Sequence, residues 1–323
     1  MAVFSKIIFP VLTVVGLVVG NVPAEDLTAR DLAHRNLAGL SLASPAIVKT
    51  GATYIDPTHG FSVTLFKGTN TIKEVAKFTK DNNFNAPFTV VNPTEGIMCL
   101  LASYADLTMT PLKPVYISYN SSVEFGRLPV PANTSALINF LPRGAGVAVN
   151  GRAQVHFDCN EDCTKCPGDD HARHTLVEYR YGDSATVPNG IDELWTNLSN
   201  VDGITSNVNI TVFGPDAKVC HKSRGCNVSA ATLKQVCPVG RHWEESSIVQ
   251  GCKSDCHATG SHEHCCTGDF ADRNVRACPK SSTFLKQLCP DAYAYPYDDQ
   301  FSMDTCYSPS GVRLEFSPFS KKN

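Results

Sequence analysis

The stretch that decides the fold reads Cys252-Lys253-Ser254-Asp255-Cys256-His257-Ala258-Thr259-Gly260-Ser261-His262-Glu263-His264-Cys265-Cys266. Downstream lie Cys278-Pro279, Phe284-Leu285-Lys286, Cys289-Pro290-Asp291-Ala292-Tyr293-Ala294-Tyr295, Tyr297-Asp298-Asp299 and Cys306. In a reducing compartment, histidines and thiols crowded in this way would suggest a zinc site. In an oxidising one the same thiols form a disulfide framework. The question extends beyond this stretch: of the 14 cysteines in 323 residues, all but Cys99 lie between Cys159 and Cys306.

The N-terminus selects between the two. Residues 1–24 carry one charge, Lys6, then an apolar run over residues 7–20, then Val22-Pro23-Ala24 with small residues where a leader is cut. The run is interrupted by Pro10 and falls short of the roughly 20 apolar residues that a membrane-spanning helix needs. We read residues 1–24 as a secretory leader cleaved after Ala24, which makes the protein extracellular and the cysteines disulfides, with no metal. Sequons at Asn120, Asn133, Asn197, Asn209 and Asn227 are candidate glycosylation sites on that route. The composition is that of a folded chain, 42% hydrophobic against 18% charged. A net charge of −3 gives no basic surplus for nucleic acid or an anionic membrane. No integral membrane segment is expected in the mature chain.

Between the leader and residue 113 the text reads as a linker followed by a small α/β segment, with a strand at 61–66, a helix at 71–81 and a strand at 87–91. We treat residues 25–113 as an N-terminal extension. From residue 114 the pattern is mainly β: short alternating runs at 115–119, 136–141, 152–158, 175–181, 207–213 and 312–316, separated by Pro, Gly, Asn and Ser, predict a sandwich. In the run at 152–158, Ala153, Val155 and Phe157 take one face, leaving Arg152, Gln154, His156 and Asp158 on a half-solvated one. Residues 220–290 read as loops and short helical turns, two of which end at Cys237-Pro238 and Cys289-Pro290.

The order of ten cysteines, with the vicinal pair Cys265-Cys266, resembles the C-terminal half of a thaumatin-like protein. Leu176-Val177-Glu178-Tyr179, Val201-Asp202-Gly203 and Arg152 seven residues before Cys159 extend the resemblance over residues 115–318. It implies a β-sandwich flanked by a disulfide-rich loop domain over residues 114–318, with 319–323 as a tail. By position it implies the bridges Cys220–Cys306, Cys226–Cys289, Cys237–Cys252, Cys256–Cys265 and Cys266–Cys278. The family's terminal bridge has lost both halves, at Ser121 or Ser122 and at Ser317. Of the four other cysteines, Cys159, Cys163 and Cys166 stand in a shortened loop, and one of the set pairs with Cys99 or stays free.

The resemblance also implies a cleft lined by one Arg, one Glu and three Asp. Matching positions are Arg152, Glu178, Asp202 and Asp298, while the remaining Asp position holds Asn197, an amide that neither donates a proton as an acid nor attacks as a nucleophile. The reading placed first is a secreted module that binds β-1,3-glucan or a related cell-wall polysaccharide in this acidic cleft, with antifungal defence as the family's association. Tyr179, Tyr295 and Tyr297 would hydrogen-bond to the sugars or stack on them. An alternative is a weak endo-β-1,3-glucanase with Glu178 as acid and Asp202 as base or nucleophile, supported by Asp298 and Arg152. Another is an effector or inhibitor directed at a protein target. No cofactor is expected, and the chain is expected to be a monomer.

Overall fold

The computed structural model describes residue 51 and residues 53–68, 85–107, 114–118, 126–140, 146–166, 175–188, 190–213, 224–245, 248–272 and 277–319. The first strands are β1 (Thr53–Asp56), β2 (Phe61–Lys67), β3 (Asn85–Asn92) and β4 (Met98–Asp106). They are followed by β5 (Val115–Tyr116), β6 (Leu128–Val130), β7 (Thr134–Phe140), β8 (Ala148–His156) and β9 (Leu176–Gly182). Next come β10 (Glu193–Ser199), β11 (Gly203–Ile204), β12 (Asn207–Phe213) and β13 (Arg224–Cys226). The remainder is α1 (Ala230–Val236), β14 (His242–Glu245), β15 (Ile248–Lys253), α2 (Asp255–Thr259), α3 (His262–Cys265), α4 (Thr283–Leu288), α5 (Asp299–Ser302), β16 (Met303–Tyr307) and β17 (Gly311–Ser317).

The strands form two large sheets and one small one. The first sheet runs β1-β2-β7-β3-β17-β12-β13, the second β16-β10-β9-β8-β4-β5 with β6 beside β4, and the third β11-β15-β14. Alternation drives the packing: Val312, Leu314 and Phe316 of β17 are fully buried, and the residues between them are not. Across the core, Phe88 of the first sheet meets Tyr179 of the second at a ring-centroid distance of 4.2 Å, and Phe140 meets Tyr104 edge-on at 4.9 Å. This is the sandwich that the sequence predicts.

The boundary expected at residue 113 is corrected. β3 lies between β7, its antiparallel partner, and β17, its parallel partner, while β4 is flanked by β8 and β5. Residues 53–106 therefore complete both sheets, because Phe61, Phe88 and Tyr104 have no other place to bury their rings. β4 was missed in the sequence because Met98 to Tyr104 are buried on both faces, which removes the alternation that marks a strand. The helix expected at 71–81 lies outside the described residues, as do the leader, Asn120 and Cys220.

Four of the five implied bridges are present: Cys226–Cys289, Cys237–Cys252, Cys256–Cys265 and Cys266–Cys278. The partner expected for Cys306, buried in β16, is Cys220, outside the described residues. The open pairing resolves as Cys99–Cys163 and Cys159–Cys166, so these sulfurs are disulfides and not thiolate ligands. Cys99 lies opposite His156 across β4 and β8. Its bridge holds the loop after β8 near that end of the sheet, and Gln154 and His156 are buried there instead of half-solvated. A second correction concerns residues 220–290, where β14 and β15 form a hairpin that pairs with β11. Strands this short and charged carry little alternation.

A fragment starting at residue 114 lacks β3 and β4 and is expected to show no cooperative thermal transition, whereas the chain from residue 43 onward melts as a unit. A cooperative melt of the shorter fragment would contradict the placement of β3 and β4.

Candidate functional site

Register builds the floor of the site. Arg152 on β8 lies directly opposite Glu178 on β9, and Glu178 lies opposite Asn197 on β10. The row continues to Ser103 on β4 and Met303 on β16. All five share the outward face, since their neighbours Gly151, Tyr179 and Thr196 face the core. Tyr179, expected to contact sugar, is thus buried in the core and donates from Oη to the Ser103 carbonyl at 3.3 Å. Gly151 makes room for it: a Cβ there would stand 2.5 Å from the Tyr179 ring.

The small sheet carries Asp202. Gly203 has φ +133° and pairs with Lys253 of β15, and any Cβ at Gly203 would come within 2.5 Å of the Cys252 carbonyl and 2.7 Å of the Trp243 ring. Glycine is therefore required where Asp202 turns off the end of β10. Against Trp243 stands His257, the two rings edge-on with centroids 5.0 Å apart. Ser254 accepts from the His257 backbone N–H at 2.9 Å, capping α2 and fixing the histidine within electrostatic reach of Asp202. Sequence reasoning had weighed His257 only as a metal ligand.

A third wall comes from residues 289–299. Tyr293 N–H donates to the Leu198 carbonyl and the Tyr293 carbonyl accepts from Asn200 N–H, both at 2.8 Å, docking this loop beside β10. The Tyr293 hydroxyl donates to Asp299 Oδ1 at 3.0 Å, and its environment includes Glu178. Asp298, expected in the cleft, also lies within electrostatic reach of Tyr293 and is held by an ion pair: Oδ2 accepts from Lys286 Nζ at 2.7 Å and from Ala294 N–H at 3.2 Å. Lys286 also donates to the Ala292 carbonyl and to Ser302 Oγ, so this ion pair braces the loop. The exposed carboxylate beside Tyr293 is Asp299, which the sequence offered in the Asp298-Asp299 pair without distinguishing the two.

The charges of the site are coupled. Burial pushes Glu178 above the usual carboxylate range; a hydrogen bond from Asn197 and the Arg152 charge pull it back, while Asp202 pushes it further up. Asp202 keeps an exposed edge, yet loss of water raises it too, against the pull of His257 and Arg152. Asn197 is 7% exposed and its Oδ1 has no hydrogen-bond partner among the described residues. The arrangement offers two carboxylates, a guanidinium and an imidazole. Such a set holds rows of hydroxyls by hydrogen bonds.

The thaumatin family model matches residues 148–318, just over half of the chain. The match begins at β8, although β1 to β7 complete both large sheets. The chain is 30% identical over 188 residues to pathogenesis-related thaumatin-like protein 3.4 of Cryptomeria japonica, which covers 54% of this chain and 67% of the relative. It is 36% identical over 125 residues to thaumatin-like protein 1 of Castanea sativa (38% and 49% covered) and 29% over 176 residues to thaumatin-like protein 1 of Arabidopsis thaliana (54% and 62% covered). The chain thus spans from about half to two thirds of the length of these curated relatives.

The raised Glu178 gives a pH signature. The native state binds the Glu178 proton more tightly than the unfolded chain, so its contribution to stability is present in acid and is lost as pH rises from 4.5 through the folded value. Glu178→Gln is expected to raise the melting temperature at pH 7 by about 2–4 °C, on the order of 1 kcal/mol. The gain should shrink toward zero at about pH 4, where both proteins carry a neutral side chain. Equal gains at both pH values would contradict the burial of this carboxylate.

Proposed function

The chain belongs to the thaumatin family, and from that premise we propose that it is a secreted, defence-type member that binds β-1,3-glucan or a closely related neutral cell-wall polysaccharide. The observation that carries this reading is the row Arg152–Glu178–Asn197 faced by Asp202 and His257. The row and Asp202 carry one guanidinium and two carboxylates, and donors and acceptors alternate across adjacent strands about 5 Å apart. Neutral sugars, with their regularly spaced hydroxyls, suit such a surface better than a strongly charged ligand does. Secretion is supported by the leader-like sequence of residues 1–24 and by six disulfides, which persist in oxidising compartments. Among the described residues no helix is long and apolar enough to cross a membrane.

Hydrolysis is the competing reading. It needs one carboxylic acid and one carboxylate across the scissile bond. Glu178 is raised toward the acid role, but Asp202, the remaining base or nucleophile, is raised by loss of water as well, and Asn197 puts an amide where the row would carry a further acid. Binding therefore stands as the activity that the present residues support.

Two measurements test the proposal. The protein is expected to co-sediment with insoluble β-1,3-glucan, and Arg152→Ala to weaken that binding about tenfold or more through loss of charged hydrogen bonds. No retention above a reduced, unfolded control would remove the reading. Reducing ends released from soluble glucan and lost in Glu178→Gln would replace binding with hydrolysis. On the secreted protein, glycopeptide mass spectrometry is expected to find Asn197 unmodified, since it is buried between β9 and β16, and sugar at the exposed Asn133 and Asn227. A folded protein carrying a glycan at Asn197 would contradict its place in the floor.

A further inference from the structure

The large hydrophobic residues exposed among the described residues are Ile191, Val239, Met303 and Tyr307, and all but Val239 share one place. Met303 and Tyr307 lie on β16, the edge of the second sheet, and Ile191 immediately precedes Asp192 and β10, the adjacent strand. Pairing aligns this face into rows: Glu178–Asn197–Met303, then Arg180–Trp195–Thr305, then Gly182–Glu193–Tyr307. The first row belongs to the site described above. Successive rows are two residues apart, about 7 Å, so Trp195 and Tyr307 stand about 7 and 14 Å further along the same face. Trp195 Nε1 donates to Glu193 Oε1, which fixes the plane of the indole. Beside it Arg180 is exposed, and the half-buried Asn150 of β8 extends the row.

The occupant follows from size and from what is already engaged. Three rows across three strands cover on the order of 150 Å², far below the roughly 800 Å² per partner of a stable protein interface. A partner strand adding to the edge would need the backbone of β16, but Arg224 Nη2 already takes the Met303 carbonyl at 3.0 Å while its guanidinium pairs with Asp304. A fixed indole, a phenol ring and a thioether, set between a guanidinium and amide or hydroxyl groups, match the apolar faces and polar rims of sugar rings.

Resting on the glucan reading of the first row, we propose that the rows at Trp195 and Tyr307 are further sugar-binding positions, which carry a polysaccharide chain from the Glu178 site outward along β10. The site is then a track that recognises an internal stretch of chain and not a single sugar.

The test is a series of β-1,3-linked oligosaccharides of two to seven units titrated against the full chain by calorimetry. Affinity is expected to rise about tenfold from the shortest to the longest. Tyr307→Ala and, separately, Arg180→Ala flatten that rise, whereas Arg152→Ala weakens every length alike. If both outer variants keep the wild-type dependence on length, the track is wrong and the Glu178 site stands. If the wild type binds no oligosaccharide of any length, the glucan reading falls and the track with it. Both outer side chains are exposed, so a thermal melt of each variant separates loss of the fold from loss of the track.

Discussion

Everything in the site depends on the register of β8, β9 and β10. A strand turns alternate side chains to opposite faces, so a slip of one residue would send Glu178 into the core and Tyr179 out to solvent. The lock is steric. Tyr179 fits only where Gly151 leaves room on the facing strand, and its ring then packs on Phe88 of the other sheet. Leu194 and Leu198 of β10, both buried, hold the third strand to the same phase. The polar row Arg152–Glu178–Asn197 is therefore fixed by apolar contacts on the opposite face, where none of its own members takes part.

The second sheet alone gives only this floor. Asp202, His257 and Tyr293 reach it from segments far apart in sequence, and each is carried by a different device. Asp202 is held by a glycine turn pressed on Trp243, His257 by a capped helix against that tryptophan, and Tyr293 by backbone bonds to β10. The Cys237–Cys252 bridge joins the end of α1 to the strand that supports Asp202, and Cys226–Cys289 ties β13 to the start of the Tyr293 loop. Short helices and short strands have little core of their own to bury. Cross-links take over that role by restricting the unfolded chain.

Sequence alone revealed those parts whose physics is local. The family resemblance carried by the cysteine order implied four observed bridges, and alternation predicted β12 and β17 to within a residue or two of their ends. Arg152, Glu178, Asn197 and Asp202 were found by position and do meet. What escaped was set by tertiary environment. β4 is buried on both faces and shows no period, so the two large sheets looked complete without it. Asp298 and Asp299 are adjacent and chemically identical, and only Lys286, placed by α4, decides which is consumed in bracing. Tyr179 was assigned to the site because aromatic chemistry suited it, although its neighbour Glu178 already claimed the outward face.

Asn197 shows why one amide suits this floor. A carboxylate there would lie opposite Glu178, near Asp202, in surroundings that already disfavour the charge on both. Three acids so placed would repel one another, and that repulsion would be lost from folding stability. The amide donates to Glu178, lowering the cost of its charge. What is given up is one carboxylate of the row, which leaves Glu178 and Asp202 as its acids. The exchange trades a charge for a donor to Glu178, and it does so by one atom pair on a strand whose register leaves that residue no other place to point.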